Sequence, residues 1–503
     1  EYVKLASVFC AGFPTKSKRT MPTTEDTSQI IVDRRPLLIV IFARMRRLLL
    51  LGSFFLIFLY LLKQEGPADL SPGGYKVLCL FFLCVSLWAT NLIPLSITSL
   101  FAIALIPMLG IMDASQVYSF FGNKAVFFIL GVFILSAAMI ASGLSARLSM
   151  WVLENWGSSP SNLVGAIYLF AGVSSCFMSE HAVAAMMFPL VMEIVTAMNL
   201  NRNDSVFGKS LFFALAWGCI IGGATTVLGG GRVPLAVEIL EKATHGESSI
   251  GVLQYSQLSF PLIILLFVAG WVVLKTMFPP DVESVEAARK ILKQKSMNMG
   301  IVTFQEKGVA SVMMVTLFFW FAYGETFGIA NIALISIVVL FIFNFVNWKM
   351  VEPHVNWAII LLYGGAICLG QVMAESGAAL WLARNIFEET IHSAGIFLVA
   401  VGVLSMLLTS FMSNSAVIAV LLPPALSMCQ TYEISPAVAA MSVILPSNFA
   451  FMLPIATPAS ALAYSSRFLS IGEMIRSGFV LSIFGILSYL FLLFIYWPLV
   501  GFQ

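Results

Sequence analysis

The chain has 503 residues, of which 59% are hydrophobic and only 10% charged, with a net charge of +2. Charged residues make up roughly a quarter of a soluble domain, so this composition excludes a soluble globular protein and points to the lipid bilayer as solvent. No basic and aromatic pattern points to nucleic acid, and the seven cysteines, mostly isolated in apolar segments, read as packing residues rather than as a disulfide framework.

Residues 1–47 hold nine of the 27 Lys and Arg and are predicted to form a polar cytoplasmic tail; the stretch is too long and too acidic for a signal peptide. Apolar runs follow at 48–63, 75–93, 95–112, 125–143, 208–221 with a short continuation at 234–240, and 256–278. A polar linker at 279–308 reads as a solvated cytoplasmic helix. Beyond it come 309–324, 327–347, 357–375, 436–447 with a continuation from 461, and 474–497. These make about eleven transmembrane crossings in an all-α polytopic fold.

Two further apolar stretches, about 161–199 and 394–430, are interrupted by polar residues. Reading each as a re-entrant hairpin, with the N-terminus inside and the C-terminus outside, places 21 Lys and Arg inside and five outside, with Arg232 left at membrane depth. That bias is what the positive-inside rule requires.

An offset of 234 residues lays "FMSEHAVAAMMFP" (177–189) on "FMSNSAVIAVLLP" (411–423) with seven of thirteen positions identical, and lays Gly131 on Gly365. The chain is therefore predicted to contain two repeats, 48–278 and 309–503. Given the topology above they are inverted, with the first hairpin opening inside and the second outside. A second break follows each hairpin: "GGATTVLGGGRVP" (222–234), with five glycines, and "SNFAFMLPIATPASA" (447–461), with two prolines. Glycine permits close approach and proline removes a donor, so both segments should be unwound. Interrupted helices in corresponding places of inverted repeats mark the midplane site of a secondary transporter, because backbone freed at membrane depth needs polar partners.

These residues resemble the divalent anion:sodium symporter family, carriers of dicarboxylates, citrate and sulfate. The tip Ser413-Asn414-Ser415 is similar to that family's Ser-Asn-Thr. Ala456-Thr457-Pro458 matches its second unwound segment, and Gly222-Gly223, Thr226 and Gly229 match its first. The resemblance implies scaffold and transport domains, elevator motion, a homodimer in the plasma membrane, and Na+ as co-substrate with no organic cofactor. It further implies a sodium site at Ser413, Asn414, Ser415 and the carbonyl of Ala456, and substrate contacts from Asn414, Ser415, Thr457 and Pro458. A first sodium site would fall at Ser179, Gly222, Gly223 and Thr226.

The first half departs from the family pattern. Its tip is Ser179-Glu180-His181, and Gly230-Gly231-Arg232-Val233 stands where the family has Thr-Pro-Pro-Asn. A charge at the bilayer centre needs a partner or a cavity, so Glu180 and Arg232 are expected to pair. Ser179, Glu180, His181, Gly230 and Arg232 are the first half's candidate substrate contacts. Arg232 replaces a sodium ion, or Glu180 and His181 exchange protons, or the three only close a hairpin. Proton-coupled transport, anion exchange or oxyanion efflux, and a non-transporting receptor are the alternatives to sodium-coupled uptake. His245, His354 and His392 are too scattered for a metal cluster, no phosphate-binding Gly-Lys-Ser/Thr loop is present, and no constellation points to an enzyme.

Overall fold

The computed structural model describes residues 37–502 apart from Asn203, Glu389, Thr390 and His392; the tail up to residue 36 and the expectation for His392 lie outside. The first element is the helix Leu37–Leu62, which begins eleven residues before the predicted crossing and takes in Arg44, Arg46 and Arg47. The chain divides into a short unit ending at Ser53 and a large one, Phe54–Gln503, which holds both hairpins, both helix breaks and the linker.

Every regular element among the described residues is a helix, and none is a strand. Helix starts follow the local sequence. Ser71 with Pro72, Ser159 with Pro160, and Thr457 with Pro458 place a capping hydroxyl before a proline that needs no hydrogen bond at the first helical position. Thr303 with Glu306 and Ser470 with Glu473 form capping boxes.

Among the described residues, eleven helices are long and apolar enough to cross a membrane. Eight coincide with predicted crossings, and three, Pro160–Phe177, Glu180–Ala197 and Ala394–Phe411, are hairpin arms. The remaining predicted crossings are shorter than the sequence reading gave. Leu95–Met108 and Ile329–Ile342 have 14 residues each, and Pro436–Ile444 has nine. Gly110 at φ 66° and Asn344 at φ 54° lie just beyond the first two, in the left-handed conformation that follows a helix end.

The 234-residue offset recurs in the bounds of the helices. It carries Leu95–Met108 onto Ile329–Ile342 and Pro160–Phe177 onto Ala394–Phe411, end for end, and it carries the start of Glu180–Ala197 onto that of Asn414–Ser427. Gly143 and Gly377, also corresponding, precede short helices with φ of 86° and 76°, a conformation that side chains disfavour.

Contacts between the halves obey the same rule. A β-carbon on Gly131 would come within 2.6 Å of Ala333, and one on Gly365 within 2.4 Å of Ser99; the offset exchanges these two pairs. The halves therefore cross, with helix Lys124–Ala141 on Ile329–Ile342 and Trp357–Glu375 on Leu95–Met108. The resumed helices cross likewise. Arg232–Ala243 lies against Asn414–Ser427, and Pro458–Ser465 against Glu180–Ala197.

The linker carries the helix Glu286–Asn298, which packs on Leu144–Trp156 and on the arm Glu180–Ala197. Arg147 holds its far end, with Nε 2.7 Å from Glu306 and Nη atoms on the carbonyls of Met299, Gly300 and Ile301. At its near end Asp281 accepts from the N–H groups of Val206 and Phe207, where a carboxylate suits a helix N-terminus.

Candidate functional site

Each hairpin turns at a Met-Ser pair. Met178 and Met412 are extended, at φ −126° and −138°, and Ser179 and Ser413 then cap the second arms by accepting from Ala182 N and Ala416 N. "MSEH" and "MSNS" thus share one backbone course and differ in what the next residues meet.

In the first half, Glu180 opens the arm and lies 1% exposed; Arg232, at 3%, opens the resumed helix. Arg232 Nη1 donates to Glu180 Oε1 at 2.9 Å and Nη2 to Oε2 at 3.2 Å, a paired geometry that suits a planar guanidinium and a carboxylate. His181 Nδ1 lies 3.8 Å from Glu180 Oε1. The structure therefore joins Glu180, His181 and Arg232 as the sequence leads one to expect.

The break Ala224–Gly231 is held by hydrogen bonds that answer its freed backbone groups. Tyr255 donates to Ala224 O at 2.8 Å and Ser259 to Thr225 O at 3.1 Å, while Glu180 N donates to Gly229 O at 3.0 Å. Thr226 Oγ1 donates to Cys176 O at 2.5 Å and accepts from Leu228 N and Gly229 N. Gly222 lies on the backbone of Gly172, and a β-carbon on Gly223 would come within 2.7 Å of Glu180 Oε2. The oxygens that the resemblance would offer to a first sodium ion are thus largely engaged within the protein.

The second half carries no charge at the corresponding places. Asn414, 4% exposed, accepts through Oδ1 from Thr409 Oγ1 at 2.7 Å, and its Nδ2 is buried without a partner among the described residues. Ser415 Oγ shares a hydrogen bond with Tyr363 Oη at 2.9 Å. Thr457 Oγ1 accepts from Ser460 N and faces Ser460 Oγ at 3.2 Å. Among the described residues no hydrogen bond joins Ala456, Thr457 or Pro458 to the tip Ser413–Ser415; the helix that Pro458 opens lies instead beside Glu180–Ala197 and Val206–Gly223.

Tyr363 spans both halves. Its ring fills the place of a side chain at Gly231, where a β-carbon would come within 2.2 Å, while its hydroxyl reaches Ser415. Sequence reasoning did not single out Tyr363, Thr409, Tyr255 or Ser259. For the last two the local signal was weak: a tyrosine and a serine four apart share one helix face, but Gln254, Ser256 and Gln257 lie among them in the same turns.

A family model described as the sodium:sulfate symporter transmembrane region matches residues 44–502. The chain belongs to this family.

Members of the sodium:sulfate symporter family are transporters, not enzymes. The chain is 25% identical over 464 residues to a sodium-dependent dicarboxylate transporter, SdcS, of Staphylococcus saprophyticus, covering 87% of this chain and 88% of the relative. It is 26% identical over 478 residues to SdcS of Staphylococcus aureus, covering 90% and 91%. Two solved structures share the fold at 14% identity. One is the YdaH transporter of Alcanivorax borkumensis, with TM-score 0.55 over 81% of this chain and 99% of that one. The other is MtrF of Neisseria gonorrhoeae, with TM-score 0.54 over 75% and 82%. This member of the family is an integral membrane protein built on a transporter fold.

Proposed function

We propose that this chain is a secondary active transporter of a small divalent anion, a dicarboxylate or sulfate, coupled to sodium through its second half. The observation that carries the reading is the matched set of four helix starts, at Glu180, Arg232, Asn414 and Pro458, each after a hairpin tip or a helix break. Helix N-termini favour anions and broken backbone at membrane depth favours ions, so the set suits an anion carried with a cation. The names of the SdcS relatives support a dicarboxylate and sodium.

In this reading Arg232, Asn414, Ser415 and Thr457 offer N–H and O–H donors to the anion, with Ser179, His181, Gly230 and Pro458 shaping the seat. Oxygens of Ser413, Asn414 and Ser415 and the carbonyl of Ala456 hold sodium, a hard cation that takes oxygen ligands. In the first half, Arg232 supplies a permanent positive charge in place of a mobile ion. The hairpins are re-entrant, the N-terminus is cytoplasmic and the C-terminus outside the plasma membrane, and the hairpin-bearing transport domain of a homodimer moves as an elevator.

Counterflow of succinate, citrate and sulfate in proteoliposomes, with and without a sodium gradient, tests the reading. Sodium-stimulated flux of a dianion is expected; exchange that ignores sodium would replace coupled uptake with antiport. The 3.8 Å approach of His181 to Glu180 favours a second reading, in which this pair carries a proton. Flux indifferent to pH in the wild type and in Glu180→Gln excludes it.

A further inference from the structure

Arg232 has five N–H donors in a rigid fork. Glu180 takes one from each Nη, whereas Nε–H is buried and meets no acceptor among the described residues. The two partners stand on separate elements, one on the hairpin tip and one at the helix break, 52 residues apart in sequence. The pair carries no net fixed charge, and His181 Nδ1 lies 3.8 Å from Glu180 Oε1. An anion arriving at Arg232 therefore meets a carboxylate in possession.

We propose that Glu180 is a tethered competitor for Arg232. In the absence of substrate it neutralises the guanidinium, and an anionic substrate gains Arg232 only by sharing or displacing Glu180. The proposal rests on the transport reading above, in which Arg232 is an anion contact.

The geometry favours competition over a plain brace. Glu180 binds Arg232 as a substrate carboxylate would, two oxygens to two nitrogens, and Nε–H, buried in this state, is a spare donor for an anion once the seat opens. When the anion leaves, Glu180 returns and the buried cation is not left alone, a state that low-dielectric surroundings penalise heavily. Glu180 thus weakens ground-state binding and speeds release, because the seat is never bare.

A brace and a competitor respond oppositely to loss of the Glu180 charge. The test uses purified full-length protein in proteoliposomes, with KM for sodium-driven succinate flux as the readout. Glu180→Gln, which keeps an oxygen and the side-chain shape, is expected to lower KM about tenfold. The double variant Glu180→Gln with Arg232→Gln, which removes both charges together, is expected to raise it about tenfold. An unchanged or raised KM in Glu180→Gln, or a wild-type KM in the double variant, overturns the proposal. Should Glu180→Gln not fold, Glu180→Asp takes its place: its shorter reach loosens the pair and must also lower KM, or the proposal fails. If the wild type carries no dianion, the transport reading fails. The proposal is then read from the rise in melting temperature with succinate, and it is overturned if Glu180→Gln shows no larger rise than the wild type.

Discussion

The phenol oxygen of Tyr363 lies 2.9 Å from the hydroxyl of Ser415, while the ring of the same tyrosine rests on Gly231, next to Arg232. One side chain thus sets the spacing between the uncharged tip of the second half and the charged break of the first. Tyr363→Phe removes a single hydrogen bond, worth about 1 kcal/mol, and should raise KM for the transported anion about fivefold with little change in the maximal rate. Gly231→Ala forces the ring away and should cost more than tenfold. Flux kinetics of both variants check the order, and equal effects would mean that only the hydroxyl bond to Ser415 matters.

Thr226 stitches the first break to the end of the hairpin's first arm. Thr226→Val keeps the volume but leaves the Cys176 carbonyl and the N–H groups of Leu228 and Gly229 without their hydroxyl. A loss of about 1–3 kcal/mol is expected, seen as a lower melting temperature in detergent, with Thr226→Ser restoring most of it.

Arg147 and Asp281 hold the two ends of the linker. In Arg147→Ala the Glu306 carboxylate and three carbonyls lose their donor. Limited trypsin cleavage at Arg289, Lys290, Lys293 and Lys295 should then accelerate about tenfold, while KM for the anion stays as in the wild type. Asp281→Ala should show a smaller acceleration, since it weakens a helix N-terminus by about 1 kcal/mol.

The proposed orientation has its own test. Lys293 and Glu247 are exposed and lie in the linker and in the loop after the first resumed helix. A membrane-impermeant maleimide applied to intact cells should label Glu247→Cys and leave Lys293→Cys unlabelled until the membrane is opened. The reverse pattern places the N-terminus outside.

Much of this was legible because two signals were strong. The repeated "FMS" fixed both hairpin turns to the residue, since a serine cap before a new helix is written locally. Glu180 and Arg232 announced each other because the bilayer leaves so few ways to bury a charge. Helix lengths were less legible. Leu95–Met108 and Ile329–Ile342 end just before the left-handed Gly110 and Asn344, residue types that close helices, but the apolar residues on either side carried the reading past them. Tyr363 was invisible for another reason: its role comes from a neighbouring glycine over a hundred residues away, and tertiary contacts of that kind leave no local mark. Thr409 escaped for a like cause, as an ordinary residue in an apolar arm whose hydroxyl matters only once the chain has turned back at Ser413.

The crossing of the halves, Gly131 on Ala333 and Gly365 on Ser99, also governs how such a molecule comes into being. While the ribosome is still making the second half, the first has neither the floor for its Gly131 helix nor the neighbour for its Arg232 helix. Assembly must wait for the far end of the chain, and the newborn first half needs lipid or a chaperone against its uncovered faces. A chain severed at the linker and expressed as two pieces should therefore regain its fold when the pieces are made together, and neither piece should survive alone.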